Sequence, residues 1–267
     1  MHNGQHSAGV HAKLPGMRTR RPIGPPSRRI GLARALSKQG VCSRSAATAL
    51  IQAGRVSLDG IVVRDPEAAT RAHSRIQIDG EHVHAAERLY VMLNKPRGLV
   101  TTVDDEQGRE TVYRCFASSH LPWLAPVGRL DRASEGLLLF TNDAEWAAAL
   151  LSPLSHVPKT YHVQIEGIPD PPTLARLTAG VLMPEGECLR VRQVQLLRAG
   201  ERNAWLACTL TEGRNRHLRR LLGGVGHPVL RLLRVAVGEL VLGDLAKGAW
   251  RALSPAEVAQ LAPPSRP

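Results

Sequence analysis

The chain has 267 residues, enough for one or two domains with a real core. Its formal net charge of +12 and pI of about 10.5 favour a polyanionic partner, nucleic acid being the common one. Aromatic residues make up only 3%, which argues against a binder that stacks many bases on aromatic side chains and for recognition by shape and phosphate.

Other composition signals narrow the class further. No apolar stretch reaches the ~18 residues of a membrane span, and there is no signal-peptide core. Cys42, Cys115, Cys188 and Cys208 form no CxxC pair, so a zinc ribbon is not expected and a reducing cytoplasm is the simplest compartment.

Residues 1–29 read as a basic, disordered tail. They carry Lys13, Arg18, Arg20, Arg21, Arg28 and Arg29, no acid, and prolines that oppose regular structure. Such an arm can gain RNA affinity by counterion release, or be an extension without a specific role.

Residues 30–86 read as a small module. Leu32, Ala35 and Leu36 lie at helical spacing, with Gly40 as a stop. Ser43 can cap a second helix through Ala46, Ala47, Leu50 and Ile51, ended by Gly54. Asp59-Gly60 between apolar runs signals a hairpin, and Asp79-Gly80 follows another strand at Arg75–Ile78. His73, His82 and His84 read as exposed histidines rather than metal ligands.

Residues 87–267 read as a second domain. Leu89–Leu93 is a strand, followed by a stiff basic turn, Asn94-Lys95-Pro96-Arg97-Gly98. The stretch VGRLDRASEGLLLFTND, residues 127–143, then places Asp131 between Arg129 and Arg132 ahead of the apolar run Gly136–Thr141, a buried-strand pattern. In isolation Asp131 is either a reactive carboxylate or a turn cap. Asp143 caps a helix through Trp146 and Leu150.

Lys159–Ile165 alternates as a strand with Tyr161, Val163 and Ile165 on one face, where a tyrosine is more often core than functional. Pro172 opens a short helix ending at Gly180. Leu189–Leu197 and Ala204–Thr211 alternate as antiparallel neighbours. Five of the seven residues from Arg214 to Arg220 are Arg or His, and Leu218, Leu221 and Leu222 share a helical face beside them. A cluster this basic, with only Glu212 beside it, calls for anions from phosphate or an active-site carboxylate. Strands at 228–237 and 238–242 and a terminal helix at 255–261 close the chain.

Two resemblances now attach to these residues. GVCSRSAATALIQAGRVSLDGIVV resembles the αL RNA-binding module first known from ribosomal small-subunit protein four; carried over, it points to Ser43, Arg44 and Arg55 as RNA contacts, with Arg34 and Lys38 nearby. The ordered set LNKPRGLVTT, GRLDRASEGLLLFTND, KTYHVQIEG, EGRNRHLRR and RVAVGELVLGDLAKGAWRAL resembles bacterial ribosomal RNA pseudouridine synthases of the small-subunit-uridine type.

The second resemblance implies an α+β fold, in which the αL module precedes a catalytic domain with a mixed, mainly antiparallel central sheet flanked by helices. It implies that Asp131 is the catalytic aspartate, that Tyr161 stacks on the uracil and helps remove its ring proton, and that Arg219 pairs with Asp131. Leu218 would pack against the base and Arg129 would help flip the nucleotide; Lys95, Arg97, Arg214 and Arg216 are further candidate RNA contacts. No cofactor or metal is implied. The partner is ribosomal RNA, as a structured stem-loop or an assembling subunit, the large-subunit RNA being favoured because EGRNRHLRR resembles that branch better; the protein is expected to be a monomer and to need no membrane. His217, Ser134 and Ala144 stand where the family usually has Gln, Thr and Gly.

The chemistry agrees with these roles. It needs an ionised carboxylate in a dry pocket, and an arginine at contact distance keeps one ionised. Whether the carboxylate attacks the anomeric carbon or removes the two-prime proton stays open. The alternative function is an inactive RNA-binding or ribosome-assembly factor of the same fold, in which Asp131, Tyr161 and Arg219 would be the first to decay; all three are present. A DNA-binding regulator is disfavoured, since no helix-turn-helix pattern is convincing.

Overall fold

The computed structural model describes residues 29–261 except Ala72; the basic tail before Arg29 lies outside the described residues. The first unit contains β1 (Ile30–Gly31), α1 (Leu32–Lys38), α2 (Arg44–Gln52), β2 (Val56–Leu58), β3 (Ile61–Val62), β4 (Ala69–Thr70), β5 (Ile76–Ile78) and β6 (Glu81–His82). Ser43 caps α2 by accepting from the Ala46 N–H at 3.0 Å. The two Asp-Gly turns close hairpins β2–β3 and β5–β6, which join through β2–β5 into one four-stranded sheet in the order β3-β2-β5-β6. Leu32, Leu36, Ala47, Ile51, Val56 and Ile76 form its buried core.

The second unit is built on a nine-stranded sheet. In chain order come β7 (Tyr90–Lys95), β8 (Ala125–Val127), β9 (Glu135–Thr141), α3 (Ala144–Leu151), β10 (Lys159–Glu166), α4 (Pro171–Ala179), β11 (Val181–Leu182), β12 (Cys188–Leu189), β13 (Gln193–Ala199), β14 (Asn203–Leu210), α5 (His217–Gly224), β15 (Val229–Val237), β16 (Leu240–Val241), β17 (Trp250–Ala252) and α6 (Pro255–Leu261). The main path runs β13-β14-β10-β15-β9-β7-β17, with β16 on β15 and β8 on β9. Every pairing in it is antiparallel except β9 with β15, so the sheet is mixed and mainly antiparallel.

β9 is buried along its whole length because the sheet is covered on both faces there. Leu137 and Leu139 meet Trp146 and Leu150 of α3 and Leu261 of α6 on one side. Leu138 and Phe140 meet Leu99, Val112 and Leu130 on the other. Double-sided burial is why its sequence is a continuous apolar run rather than an alternating one, at about 1.5–3 kcal/mol per buried large side chain.

Two expectations about strands need correction. β7 runs two residues further than the predicted strand, to Lys95, so the basic turn begins at Pro96. Asn94 and Lys95 stay in the strand because their side-chain donors find acceptors inside: Asn94 Nδ2 donates to the Leu245 carbonyl at 2.6 Å, and Lys95 is bonded as described below, although the buried Asn94 Oδ1 has no partner among the described groups. The predicted strand Leu189–Leu197 is broken at Arg190–Arg192, its ends pairing separately in β12 and β13.

The end of β9 fastens the segment that enters the second unit. Thr141 Oγ1 donates to the Leu89 carbonyl at 2.6 Å; Asn142 accepts from the Leu89 N–H at 2.8 Å and donates to the Glu87 carbonyl at 2.7 Å. Asp143 caps α3 and also accepts from the Tyr90 hydroxyl at 2.9 Å. Gly40 of the first unit lies against Asn142 and Ala86 at a positive φ, where a Cβ would come within 3.0 Å of the Asn142 amide. The strand leading away from Asp131 therefore ends where the first unit docks.

Candidate active site

Asp131 lies in the turn between β8 and β9, closed by the Ser134 N–H donating to the Asp131 carbonyl at 2.9 Å. Beneath the turn sits Lys95, which is fully buried. Its ammonium donates to the carbonyls of Ser134 at 2.8 Å, Pro96 at 3.1 Å and Asp131 at 3.2 Å. Burial pulls the Lys95 ammonium down to about 8, with Asp131 opposing that from nearby. Lys95 was expected to contact RNA; its position under the turn instead turns its three donors onto backbone carbonyls, away from solvent.

The turn is held from the β15 side too. Gly136 has φ +102°, and a Cβ there would fall 2.3 Å from the Arg234 carbonyl, so only glycine lets β9 approach β15 directly after the turn. Glu135, buried, accepts from Arg231 Nε at 2.5 Å and meets Lys247 Nζ at 2.7 Å. Burial opposes ionisation of this carboxylate, but Arg231 and Lys247 outweigh it and hold it below the usual glutamate value.

A cleft of about 520 Å³ opens above the turn. Asp131, Tyr161 and Arg219 all line it, though they come from the β8–β9 turn, β10 and α5. Arg129, Arg214, Arg216 and Leu218 line it as well. Arg97 is exposed on the neighbouring turn, whose Gly98 N–H donates to the Arg132 carbonyl at 2.8 Å. Ser43, Arg44 and Arg55 lie apart, in the first unit. There the Ser43 hydroxyl is committed to its cap, Arg44 is exposed, and Arg55 is paired with Asp79 at 2.5 Å.

The arginine pairing differs from the one implied. Arg219 sends Nη2 to the Ala133 carbonyl at 3.1 Å and Nη1 to the Val229 carbonyl at 3.2 Å. The ion pair to Asp131 comes from Arg216, at 3.9 Å with both side chains facing solvent. Arg216 adopts the left-handed conformation at φ +45°, ψ +34°, uncommon for a side chain of this size, at the N-terminus of α5. Burial pulls the Arg219 guanidinium below its usual value and Arg216 adds to that, while Asp131 opposes. Arg219 is thus a half-buried brace joining the Asp131 turn to β15, close enough to feel the carboxylate.

The anions that offset the rest of the basic cluster are also the chain's own. Arg214 meets Glu187 at 2.6 Å and Glu212 at 3.0 Å; Arg220 meets Glu187 at 2.7 Å and Glu185 at 3.3 Å. These acids come largely from the β11–β12 connection, about thirty residues earlier in the chain.

Sequence reasoning passed over Lys159 and Arg234, which line the cleft beside Tyr161, although both stand in the motifs quoted above. Ser134 and His217 line it too, and both are buried. The Ser134 hydroxyl, both His217 ring nitrogens and Arg219 Nε have no well-formed partner among the described groups. Burial pulls the His217 imidazole below its ordinary value, which favours the neutral ring; like the amide of Gln, that ring offers one donor and one acceptor. Among the described residues no cluster of three metal-ligating side chains occurs, and no helix is long and apolar enough to cross a membrane.

Comparison with known proteins places this arrangement. The RNA pseudouridylate synthase family matches residues 89–223, and the S4 domain matches residues 30–69. The chain is 38% identical over 229 residues to an RNA pseudouridine synthase of Aquifex aeolicus, covering 85% of this chain and 91% of that one. It is 35% identical over 232 residues to the ribosomal large subunit pseudouridine synthase B of Bacillus subtilis, covering 86% and 94%. A crystal structure of a pseudouridylate synthase superposes with a TM-score of 0.61 at 29% identity, covering 87% of this chain and all of the other. The chain belongs to the RNA pseudouridylate synthase family, and it carries an S4 domain ahead of the synthase domain.

Proposed function

We propose that this enzyme converts a uridine of ribosomal RNA, in the large subunit, to pseudouridine. In that reaction the bond from uracil N1 to the ribose anomeric carbon breaks, the base turns, ring carbon five bonds to the anomeric carbon, and the proton on carbon five is lost while N1 gains one. Asp131 acts at the sugar, Tyr161 packs on the uracil and assists loss of the ring proton, and Leu218 bounds the base. Arg216 pairs with Asp131, Arg219 braces its turn, and Arg129 supports extrusion of the nucleotide, whose unstacking costs ~2–3 kcal/mol.

The observation that supports these roles is the convergence of Asp131, Tyr161 and Arg219 on one cleft from three separate chain segments. The identity with the large-subunit enzyme of Bacillus subtilis supports the choice of RNA.

The substrate on this reading is a structured stem-loop presented to a monomer in the cytoplasm. Residues 30–86 form the RNA-gripping module and residues 87–267 the catalytic domain, with residues 1–29 as a basic arm. Arg44, Arg55, Arg97 and Arg214 contribute phosphate contacts.

Asp131→Asn tests the core of this reading. Pseudouridine formation in large-subunit ribosomal transcripts should fall below detection, with RNA affinity within about threefold of wild type, because the exposed arginines are untouched. Turnover near wild type would remove Asp131 from the reaction.

A further inference from the structure

Two cations on the cleft wall are left over when the roles above are assigned. Lys159, at the start of β10, has no hydrogen-bond or acid partner among the described residues; Arg234, on β15, uses only Nε, on the Leu137 carbonyl at 2.7 Å. Both line the cleft, Arg234 being buried and Lys159 half-buried. The contrast with their neighbours is sharp. Lys95 is satisfied by three carbonyls and Arg231 by Glu135. Burial, and then the Arg234 charge, pull the Lys159 ammonium below its usual value, as expected of two like charges sharing a poorly solvated wall.

An irregularity in the sheet puts them together. Thr160 pairs with Ala236 but Tyr161 pairs with Arg234, so Val235 is an extra residue in β15 at that point. In an unbroken antiparallel register Tyr161 would face Val235, and Arg234 would point to the opposite side of the sheet. The bulge reverses the alternation and brings Arg234 onto the face that carries Tyr161 and Lys159. Neighbouring strands lie ~4.8 Å apart and alternate residues of one strand ~6.7 Å apart, so Tyr161, Arg234 and Lys159 form a triangle of nucleotide dimensions.

We propose that Lys159 and Arg234 form a phosphate seat, which holds a backbone phosphodiester flanking the target uridine while its base lies against Tyr161. The inference rests on the uridine-isomerising reading and deepens it by naming how the extruded nucleotide is gripped. A phosphodiester supplies the negative charge that the two cations lack. It also follows from chain geometry that a base inserted toward Tyr161 brings its own phosphate into the cleft. The seat is separate from Asp131, whose nearest cation is Arg216.

The test uses the full chain and a large-subunit ribosomal transcript fragment in which the wild type forms pseudouridine. Lys159→Met should raise KM roughly tenfold, as loss of a charge-assisted bond does, with a smaller change in kcat, and should lower the salt slope of RNA binding by about 0.7–0.9; Lys159→Arg should restore both. A neutral methylphosphonate placed on either side of the target uridine should weaken wild-type binding at one of the two positions and add nothing to the Lys159→Met defect there. Wild-type turnover with unchanged KM and salt slope in Lys159→Met, or full additivity of Lys159→Met with both methylphosphonates, would overturn the seat alone. Absence of turnover by the wild type in any ribosomal transcript would overturn the functional reading and the seat with it.

Discussion

The layer beneath the Asp131 turn and the face of the S4 domain are both rich in charge, and they use it in opposite ways. Under the Asp131 turn, Lys95 and Glu135 are buried and each is fully engaged by carbonyls or counter-charges. On the S4 domain, Arg44 is exposed and Arg55 meets Asp79 in a pair whose side chains are about half exposed. Buried charge is costly unless its hydrogen bonds are complete, so it fixes geometry. Exposed charge contributes little to folding and is free to act on a partner. A charged side chain therefore carries a different meaning in each region, and burial decides which.

Lys95→Met should show the largest effect, because it removes a fully buried donor shared by three backbone carbonyls. We expect a loss of roughly 2–4 kcal/mol in denaturant unfolding and a collapse of kcat, although Lys95 does not line the cleft. The pH dependence has a defined sign. The folded ammonium titrates at about 8, below the ordinary 10.5. Between those values the unfolded chain holds a proton that the folded chain has released, so the Lys95 contribution to stability grows as pH rises through the window. Unfolding curves of wild type and Lys95→Met across this window should separate further as pH increases. A constant difference would show that the lysine is not held out of water.

Glu135→Gln should cost less, about 1–2 kcal/mol, because both of its partners reach solvent. The Glu135 value is held below 4.5 in the folded protein, so its contribution is complete above that pH and is lost as pH falls through the lower folded value. Wild type and Glu135→Gln should therefore converge in stability in acid. If they stay apart there, the Arg231–Glu135–Lys247 group does not supply the difference.

The same division explains how far the sequence could be read. The run Gly136–Thr141 is legible because burial on both faces leaves a continuous apolar signature, and the two hairpins are legible because Asp-Gly chemistry is local. Asn94 and Lys95 are not legible as strand. Their polarity marks a loop until the carbonyls of residues 131, 134 and 245 arrive from distant segments. Asp131 and Arg219 could be placed in one site by motif order. Whether the guanidinium turns to the carboxylate or to the carbonyls of Ala133 and Val229 depends on packing of β15 against the turn, which no local pattern encodes. Nor could spacing announce the Val235 bulge that brings Arg234 to the cleft, since it is defined by pairing with β10, a strand about seventy residues earlier in the chain.

Arg55→Gln should have the smallest effect on folding and sharpens the contrast from the other side. Arg55 reaches Asp79 through Nε and Nη2, yet both partners face solvent, where screening and side-chain entropy cancel most of the attraction. Its thermal midpoint should match wild type within error. Binding of the ribosomal transcript should nevertheless weaken, and the slope of log affinity against log salt should flatten by about 0.7–0.9, the signature of one lost phosphate contact. Because Asp79 holds the guanidinium in place, Asp79→Asn should leave the charge available and keep the slope near wild type. An unchanged slope in Arg55→Gln would show that this arginine serves the hairpin alone; a clear fall in the midpoint would show that an exposed pair can bear structural weight here, and that burial is not what separates the two regions.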